Sequence, residues 1–377
     1  MDTKLHIIAF DVPYPADYGG IIDLYFQLKS LHKLGVKITY HCFYYEGNNP
    51  KTDQLNGFCE HVYYYHRKKN IGKMMFNKLP FIVATRQDKD LLKNLLKDNN
   101  PILFSGIQTC YFLNHPKLKN RKKIFRAHNI EHDYYNGLAQ VEPNQLKRRF
   151  FLLEAKKLQK FEAILNQVNV ILSITKKDVS YFSKYAATYH IPAFFRQNDI
   201  NYNLPELTNY GLFQGNLSVV ENIHTVNFIL NNIASKTKSK IIIAGKSPNK
   251  KLVKEIEKYS NVELIENPKQ EQMNTLIKNA QVHLLFTAQQ TGVKLKLLHA
   301  LSVGKHVIIN SLMDDDGLFS NLCVIENDPD KILRKFEQLM TTLFNVDYQK
   351  KRKLAFNTYF NNGENALKLI DIVNNIE

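Results

Sequence analysis

The run Thr291-Gly292-Val293-Lys294-Leu295-Lys296-Leu297-Leu298-His299-Ala300-Leu301-Ser302-Val303-Gly304-Lys305-His306-Val307-Ile308-Ile309 reads as a glycine turn, a helix, a glycine stop and a β-branched strand. The first turn of a helix presents unpaired N–H groups and partial positive charge, so it attracts anions. Lys294 and Lys296 add full charges at that end. A phosphate or diphosphate is the expected guest; the competing reading is a surface helix with two solvated lysines. A second polar run, Arg126-Ala127-His128-Asn129-Ile130-Glu131-His132, follows a strand pattern and is expected in a loop. His128 is suited to hold or deprotonate a hydroxyl and Glu131 to accept hydrogen bonds from one; otherwise the run caps the next helix. His128, Glu131 and His132 lack zinc spacing, and no metal is expected there. Gly19-Gly20, Gly215-Asn216-Leu217-Ser218 and Gly245-Lys246 each follow a strand pattern, where glycine lets backbone N–H groups approach a ligand. Gly19-Gly20 is not G-x-G-x-x-G, so a nicotinamide site is not expected. Asp314-Asp315-Asp316 reads as a solvated acidic loop rather than a metal triplet.

Such residues need strands to carry them. Leu5–Phe10 is almost wholly apolar, Ile21–Leu34 has helical spacing ended by Gly35, and Val36–Phe43 is the next strand. Strand, helix, strand with short connections is the unit of a parallel sheet. Strands are predicted at 61–65, 102–104, 123–126, 168–174 and 188–191, and helices at 86–98, 143–167 and 175–184. After a linker bracketed by Pro192 and Pro205 the alternation restarts. Strands fall at 211–214, 240–244, 262–265, 282–286 and 306–310, with helices at 222–234, 249–259, 270–279, 293–303, 328–345 and beyond 347. The fold class is α/β, two consecutive doubly wound Rossmann-like domains over residues 1–193 and 206–357, with ligands beyond the carboxyl ends of the strands.

A chain of 377 residues, 44% hydrophobic and 23% charged, has the composition of an ordinary globular protein. No apolar run reaches membrane-spanning length, and no signal peptide is read at the N-terminus. Cys42, Cys59, Cys110 and Cys323 have no paired spacing and read as free thiols of a cytoplasmic protein. The formal charge of +16 is concentrated in residues 1–200, which hold 30 Lys+Arg against 17 Asp+Glu. That half is expected to meet an anionic surface. Residues 144–165 mix Lys147, Arg148, Arg149, Lys156, Lys157 and Lys160 with large apolar residues. Lys117, Lys119, Arg121, Lys122 and Lys123 form a second cluster. Lys68, Lys69, Lys73 and Lys78 form a third around Met74, Met75 and Phe76. This mixture suits peripheral contact with the inner face of a cell membrane. No recognition helix, RNA-binding sheet motif or zinc finger is present, so no nucleic-acid partner is expected.

Two doubly wound domains, Gly19-Gly20, Gly215-Asn216-Leu217, Ile241–Gly245, Ala280–Phe286 and the G-x-K-x-K-L-L-x-A-L-x-x-G-K-x-V-I segment over Gly292–Ile309 resemble GT-B glycosyltransferases, specifically retaining family four. The resemblance implies two lobes facing a cleft and a C-terminal helix, about 358–377, that crosses back to the first domain. It implies a hexosyltransferase that moves a sugar from a UDP- or GDP-sugar to a glycan or lipid-linked acceptor, in bacterial surface-polysaccharide synthesis. No cofactor or metal is implied. The donor would lie against Gly215, Asn216, Gly245, Gly292, Val293 and His299, and the acceptor against Gly19, Gly20, Asn129 and Glu131. Lys294, Lys296 and His128 would be catalytic: the lysines stabilise the departing diphosphate and His128 orients the sugar or acceptor. Two departures stand out. The family's paired glutamates are Thr291 and His299 here, and Gly215–Glu221 lacks the usual basic pair. The alternatives are a non-catalytic GT-B relative that binds nucleotide or glycan or supports a partner, and a sugar-nucleotide epimerase.

Overall fold

The structure is a computed structural model that describes residues 3–16, 19–45, 53–68, 78–196, 206–288, 292, 294–314 and 317–376. Among these residues, β1 (Lys4–Ala9), β2 (Lys37–Tyr44), β3 (His61–His66), β4 (Ile102–Ser105), β5 (Lys123–Ala127), β6 (Val170–Ser173) and β7 (Ala187–His190) pair in parallel, in the order β3-β2-β1-β4-β5-β6-β7. A second sheet, also parallel, joins β8 (Tyr210–Asn216), β9 (Lys240–Lys246), β10 (Val262–Glu266), β11 (Val282–Leu285), β12 (His306–Ile309) and β13 (Val324–Ile325) in the order β10-β9-β8-β11-β12-β13. β4, β5, β6, β11 and β12 bury every residue, as parallel strands covered on both faces do. In each sheet the strand order reverses beside the first strand, between β1 and β4 and between β8 and β11. Those switch points are where a doubly wound sheet opens a crevice.

Seven helices, labelled in chain order, position the site: α1 (Gly19–Lys33), α2 (Glu131–Val141), α3 (Gln145–Phe161), α4 (Val220–Asn232), α5 (Leu295–Val303), α6 (Val346–Tyr359) and α7 (Asn362–Asn375). α7 returns to the first domain, where Leu369, Ile370 and Val373 join the core of Leu24, Leu28 and Leu31 from α1. A separate apolar cluster ties the lobes together, with Ile174 and Phe195 packed among Leu297, Leu301, Phe356 and Phe360. Asn362 locks that joint, donating to the Phe195 carbonyl at 2.8 Å and accepting its N–H at 3.3 Å.

Several boundaries differ from expectation. α2 lies where a polar loop is predicted, so Glu131 and His132 occupy a helical first turn. Its buried face is only His132, Leu138 and Ala139, too thin a stripe to show as periodicity. The helix predicted over 143–167 ends at Phe161 and continues as 3-10 turns to Gln167. The one over 86–98 shortens to Lys89–Leu95 behind an Asp88 cap. Within the linker, residues 197–205 lie outside the described ones.

Candidate active site

The second domain brings two helix starts together. α5 begins after Lys294, its N-cap residue, and α4 begins just past the end of β8, whose last two residues are Gly215 and Asn216. Lys296 is half-buried, and its ammonium donates to Asn222 Oδ1 at 3.1 Å and lies 5.1 Å from the Phe213 ring centre. Burial lowers its pKa to about 8 against the opposing pull of Glu221. The Lys294 ammonium is 3.9 Å from Glu221 Oε1, with side-chain exposures of 15% and 13%. Neither lysine projects into bulk solvent. Glu221 also accepts the Thr287 hydroxyl, and Asn310 pins Thr287 by accepting its N–H at 3.1 Å and donating to its carbonyl at 2.7 Å. Two ammonium groups, one carboxylate and two helix N-termini thus share one spot. Excess positive charge remains there for an incoming anion.

The glycines of this domain divide by role. A Cβ on Gly245 would lie 1.9 Å from the Gly215 carbonyl oxygen, so Gly245 is required by the close approach of β8 and β9. A Cβ on Gly215 would meet the Asn222 side chain at 3.1 Å. Asn222 donates to the Asn216 carbonyl at 2.9 Å, linking the end of β8 to Lys296. His299 is half-buried, its Nε2 has no hydrogen-bond partner among the described residues, and burial lowers its pKa to about 4. Val293, Thr291, Asp315 and Asp316 lie outside the described residues.

In the first domain, Arg126 belongs to β5, in line with the strand predicted over 123–126, and it is wholly buried rather than part of the polar loop that follows. Its guanidinium forks onto Asp23 of α1, at 2.9 Å from Nε and 2.8 Å from Nη2. Asp23 also accepts the Phe194 N–H at 2.6 Å. Immediately after β5, His128 holds Nδ1 3.7 Å from Asp23 Oδ2 and rests edge-on against Phe10. Burial lowers its pKa to about 4, so the imidazole is neutral at pH 7. The carboxylate favours the proton on Nδ1, which leaves Nε2 as a base or acceptor; Nε2 is buried without a partner among the described residues. Gly20 serves the same contact, because a Cβ there would lie 2.5 Å from the Phe10 ring, whereas Gly19 has open space. Burial raises the Glu131 pKa to about 7, against a 3.3 Å hydrogen bond from Asn129. His132 turns to Glu162 at 3.2 Å, and that carboxylate raises its pKa. It belongs to the packing of α2, away from His128.

Gly292 joins the halves. A Cβ there would come 2.0 Å from Asn129 Oδ1 and 3.1 Å from the His128 carbonyl, and its φ is +67°. The loop before the lysines therefore touches the His128-Asn129 turn directly. Gly292→Ala is expected to cut sugar transfer at least about tenfold, with Asn129→Ala in the same chain restoring part of the rate. The left-handed backbone keeps a cost of roughly 1–2 kcal/mol that the second change does not relieve. An undiminished rate in the single variant would show that this contact is not made during turnover.

The basic clusters fare differently. Arg121 is buried and donates to the carbonyls of Leu95, Asp98 and Asn100, Lys122 donates to the Ile376 carbonyl, and Lys123 is buried. That predicted patch is split: Arg121 and Lys123 turn inward, whereas Lys117, Lys119 and Lys122 are exposed. Along α3, by contrast, Lys147, Arg148, Arg149, Lys156 and Lys160 are exposed beside Leu146, Leu152 and Leu153. Lys69, Lys73, Met74, Met75 and Phe76 lie outside the described residues. Among the described residues no helix is long and apolar enough to cross a membrane.

The chain is similar to known proteins in part of its sequence and in its fold. Residues 208–342 match the family described as glycosyl transferases group 1. An uncharacterized 44.6 kDa protein in the cps region of Klebsiella pneumoniae is 26% identical over 381 residues, covering 95% of each chain. Among solved structures, Staphylococcus aureus TarM, crystallised with fondaparinux, α-GlcNAc-glycerol and UDP, superposes with a TM-score of 0.71 at 12% identity over 99% of this chain and 100% of that one. A trehalose-6-phosphate synthase, analysed for glycosyl transfer with retention, superposes with a TM-score of 0.64 at 11% identity over 99% of both. Residues 208–342, within the second domain, are similar to glycosyl transferases group 1, and the whole chain has the GT-B fold.

Proposed function

We propose that this glycosyltransferase moves a sugar from a UDP- or GDP-sugar to a glycan or lipid-linked acceptor in the synthesis of a bacterial surface polysaccharide, with retention and without a metal. The observation that carries the reading is the meeting of Lys294 and Lys296 with the first turns of α4 and α5, across Gly292 from His128. The relative in a cps region supports the polysaccharide role.

When the bond from the anomeric carbon to the diphosphate breaks, its electron pair stays on the phosphate oxygen. The two ammonium groups and the helix N-termini oppose that charge, the work a bound metal does elsewhere. An arriving anion adds to the pull of Glu221 and keeps Lys296 protonated. The acceptor oxygen bonds to the same carbon, on the face the phosphate leaves, and its proton passes to the departing phosphate oxygen. His128, neutral and held by Phe10 and Asp23, hydrogen-bonds a sugar hydroxyl through Nε2. Asn129 and Glu131 line the acceptor side. The exposed leucines and cations of α3 rest on an anionic membrane face.

The test is a melting-point panel of UDP, GDP and their hexose conjugates, followed by release of free nucleotide and assignment of the product anomer by NMR. One nucleotide series is expected to raise the melting temperature, and its sugar to be released slowly without acceptor. Binding without any turnover, with acceptors supplied, would instead mark a non-catalytic relative. Pelleting with anionic but not neutral vesicles checks the membrane contact, and salt should weaken it.

A further inference from the structure

Glu221 puts a carboxylate where the ligand is an anion. It lies in the first turn of α4, where an acidic residue ordinarily offsets the helix dipole from solvent. Here its side chain is only 13% exposed, and its Oε1 is 3.9 Å from the Lys294 ammonium. Thr287 donates its hydroxyl to the same oxygen, and Asn310 fixes Thr287 in turn. Lys296 feels this charge too: burial lowers its pKa, Glu221 opposes the fall and Lys294 adds to it. From the first domain α2 packs against α4, and burial, then the charges of Glu221 and Glu131, raise the pKa of Tyr134 on α2. Lys294 also stands in the wall of a cavity of about 860 Å³ beside α6, which gives an anion a way to its ammonium.

Two ammonium groups and one carboxylate leave a single uncompensated positive charge. A sugar-linked diphosphate brings about two negative charges; once freed, its terminal phosphate titrates near pH 6 and brings about one more at pH 7. Glu221 cannot keep Lys294 while a phosphate takes it, and like charges side by side disfavour one another. That repulsion grows with the charge of the ligand, so it weighs more on the released nucleotide than on the donor. We propose that Glu221 is a counter-ion that changes places with the phosphates. It holds Lys294 in the empty site, yields it to the donor, and takes it back as the more highly charged product leaves. The exchange makes and breaks no covalent bond; it sets how fast the site empties. This rests on the glycosyltransferase reading and adds to it a residue that governs the step after transfer.

Glu221→Gln is the direct test, because the amide oxygen still accepts the Thr287 hydroxyl while the charge is gone. Pyrophosphate, titrated calorimetrically into the full chain at pH 6, is expected to bind the variant about tenfold or more tighter. Whichever of UDP and GDP raises the melting temperature should gain more affinity than its hexose conjugate. Its dissociation, followed by stopped-flow displacement of a fluorescently labelled nucleotide, should slow by about tenfold or more. The alkaline limb of kcat/KM should also move to lower pH, since Lys296 loses a neighbour that favours its charged form. Thr287→Val removes the anchor and keeps the carboxylate, so it should not tighten pyrophosphate. Melting curves establish that both variants fold. Equal or weaker pyrophosphate affinity in the glutamine variant, no binding to either chain, an unchanged nucleotide dissociation rate, or equal tightening in the valine variant overturns the inference. The nucleotide-sugar panel separates the two claims. Donor turnover with unchanged pyrophosphate affinity removes this inference alone, and tighter pyrophosphate without any nucleotide response removes the transferase reading alone.

Discussion

Lys296→Ala is expected to lower kcat for sugar transfer by about 100- to 1000-fold, roughly 3 kcal/mol of transition-state stabilisation, while leaving the protein folded. The reason is where the ammonium is held. Its hydrogen bond to Asn222 and its place over Phe213 fix it between the first turns of α4 and α5. A fixed donor aimed at developing charge needs no reorganisation when the phosphate departs. The fold should survive because Glu221 keeps Lys294 and the Thr287 hydroxyl as partners. Lys296→Met, which retains the apolar stem, should lose as much activity, separating charge from packing. The free protein also makes a pH statement. Because burial lowers the Lys296 pKa from 10.5 to about 8, the lysine loses its proton as pH rises through that value. Accordingly, kcat/KM should fall above about pH 8 in the wild type, and that limb should disappear in the methionine variant. A rate near that of wild type in either variant would remove the lysine from the chemistry.

Asp23→Ala should be the most destabilising single change in the first domain, costing about 3–5 kcal/mol. It leaves the Arg126 guanidinium buried in the sheet with the carbonyls of Ile191 and Pro192, at 3.3 Å and 3.1 Å, as its hydrogen-bond acceptors among the described residues. It also frees the Phe194 N–H at the entry to the interdomain joint. For a domain of this size the loss corresponds to a melting-point drop of about 6–20 °C. Two lobes need not melt together, so the transition of the first one is the quantity to follow, by calorimetry or by ligand-free tyrosine fluorescence. Asp23→Asn keeps the hydrogen-bonding shape without the charge and should cost less. Below the melting range both variants should still transfer more slowly, because His128 loses the carboxylate that sets its tautomer. A shift under about 1 kcal/mol for the alanine variant would mean that water or relaxation satisfies Arg126, and that the pair is not what holds β5 to α1.

Read from residues alone, the sheet strands were the plainest part of the chain. Runs such as Ile241–Ala244 and His306–Ile309 are apolar because parallel strands are covered on both faces. The start of α5 was equally legible, since a glycine, two lysines and an amphipathic run are local features. The partners of those lysines were not. Glu221 in a helical first turn looks like ordinary dipole compensation, and nothing in its spacing places it beside Lys294, seventy-odd positions on. The buried ion pair of Arg126 is hidden for the same reason: its counter-charge, Asp23, is 103 positions earlier.

Local pattern therefore determined the fold class, the two doubly wound domains and the anion-attracting end of α5, because backbone periodicity and helix-terminus electrostatics are written over a few adjacent residues. Tertiary packing alone decided that the lysines are held by Glu221 and Asn222, that Arg126 is buried on Asp23, that Gly292 meets Asn129, and that a cavity opens beside α6. Charge pairing and empty volume depend on which distant surfaces meet, and that is a property of the closed three-dimensional arrangement rather than of spacing along the chain.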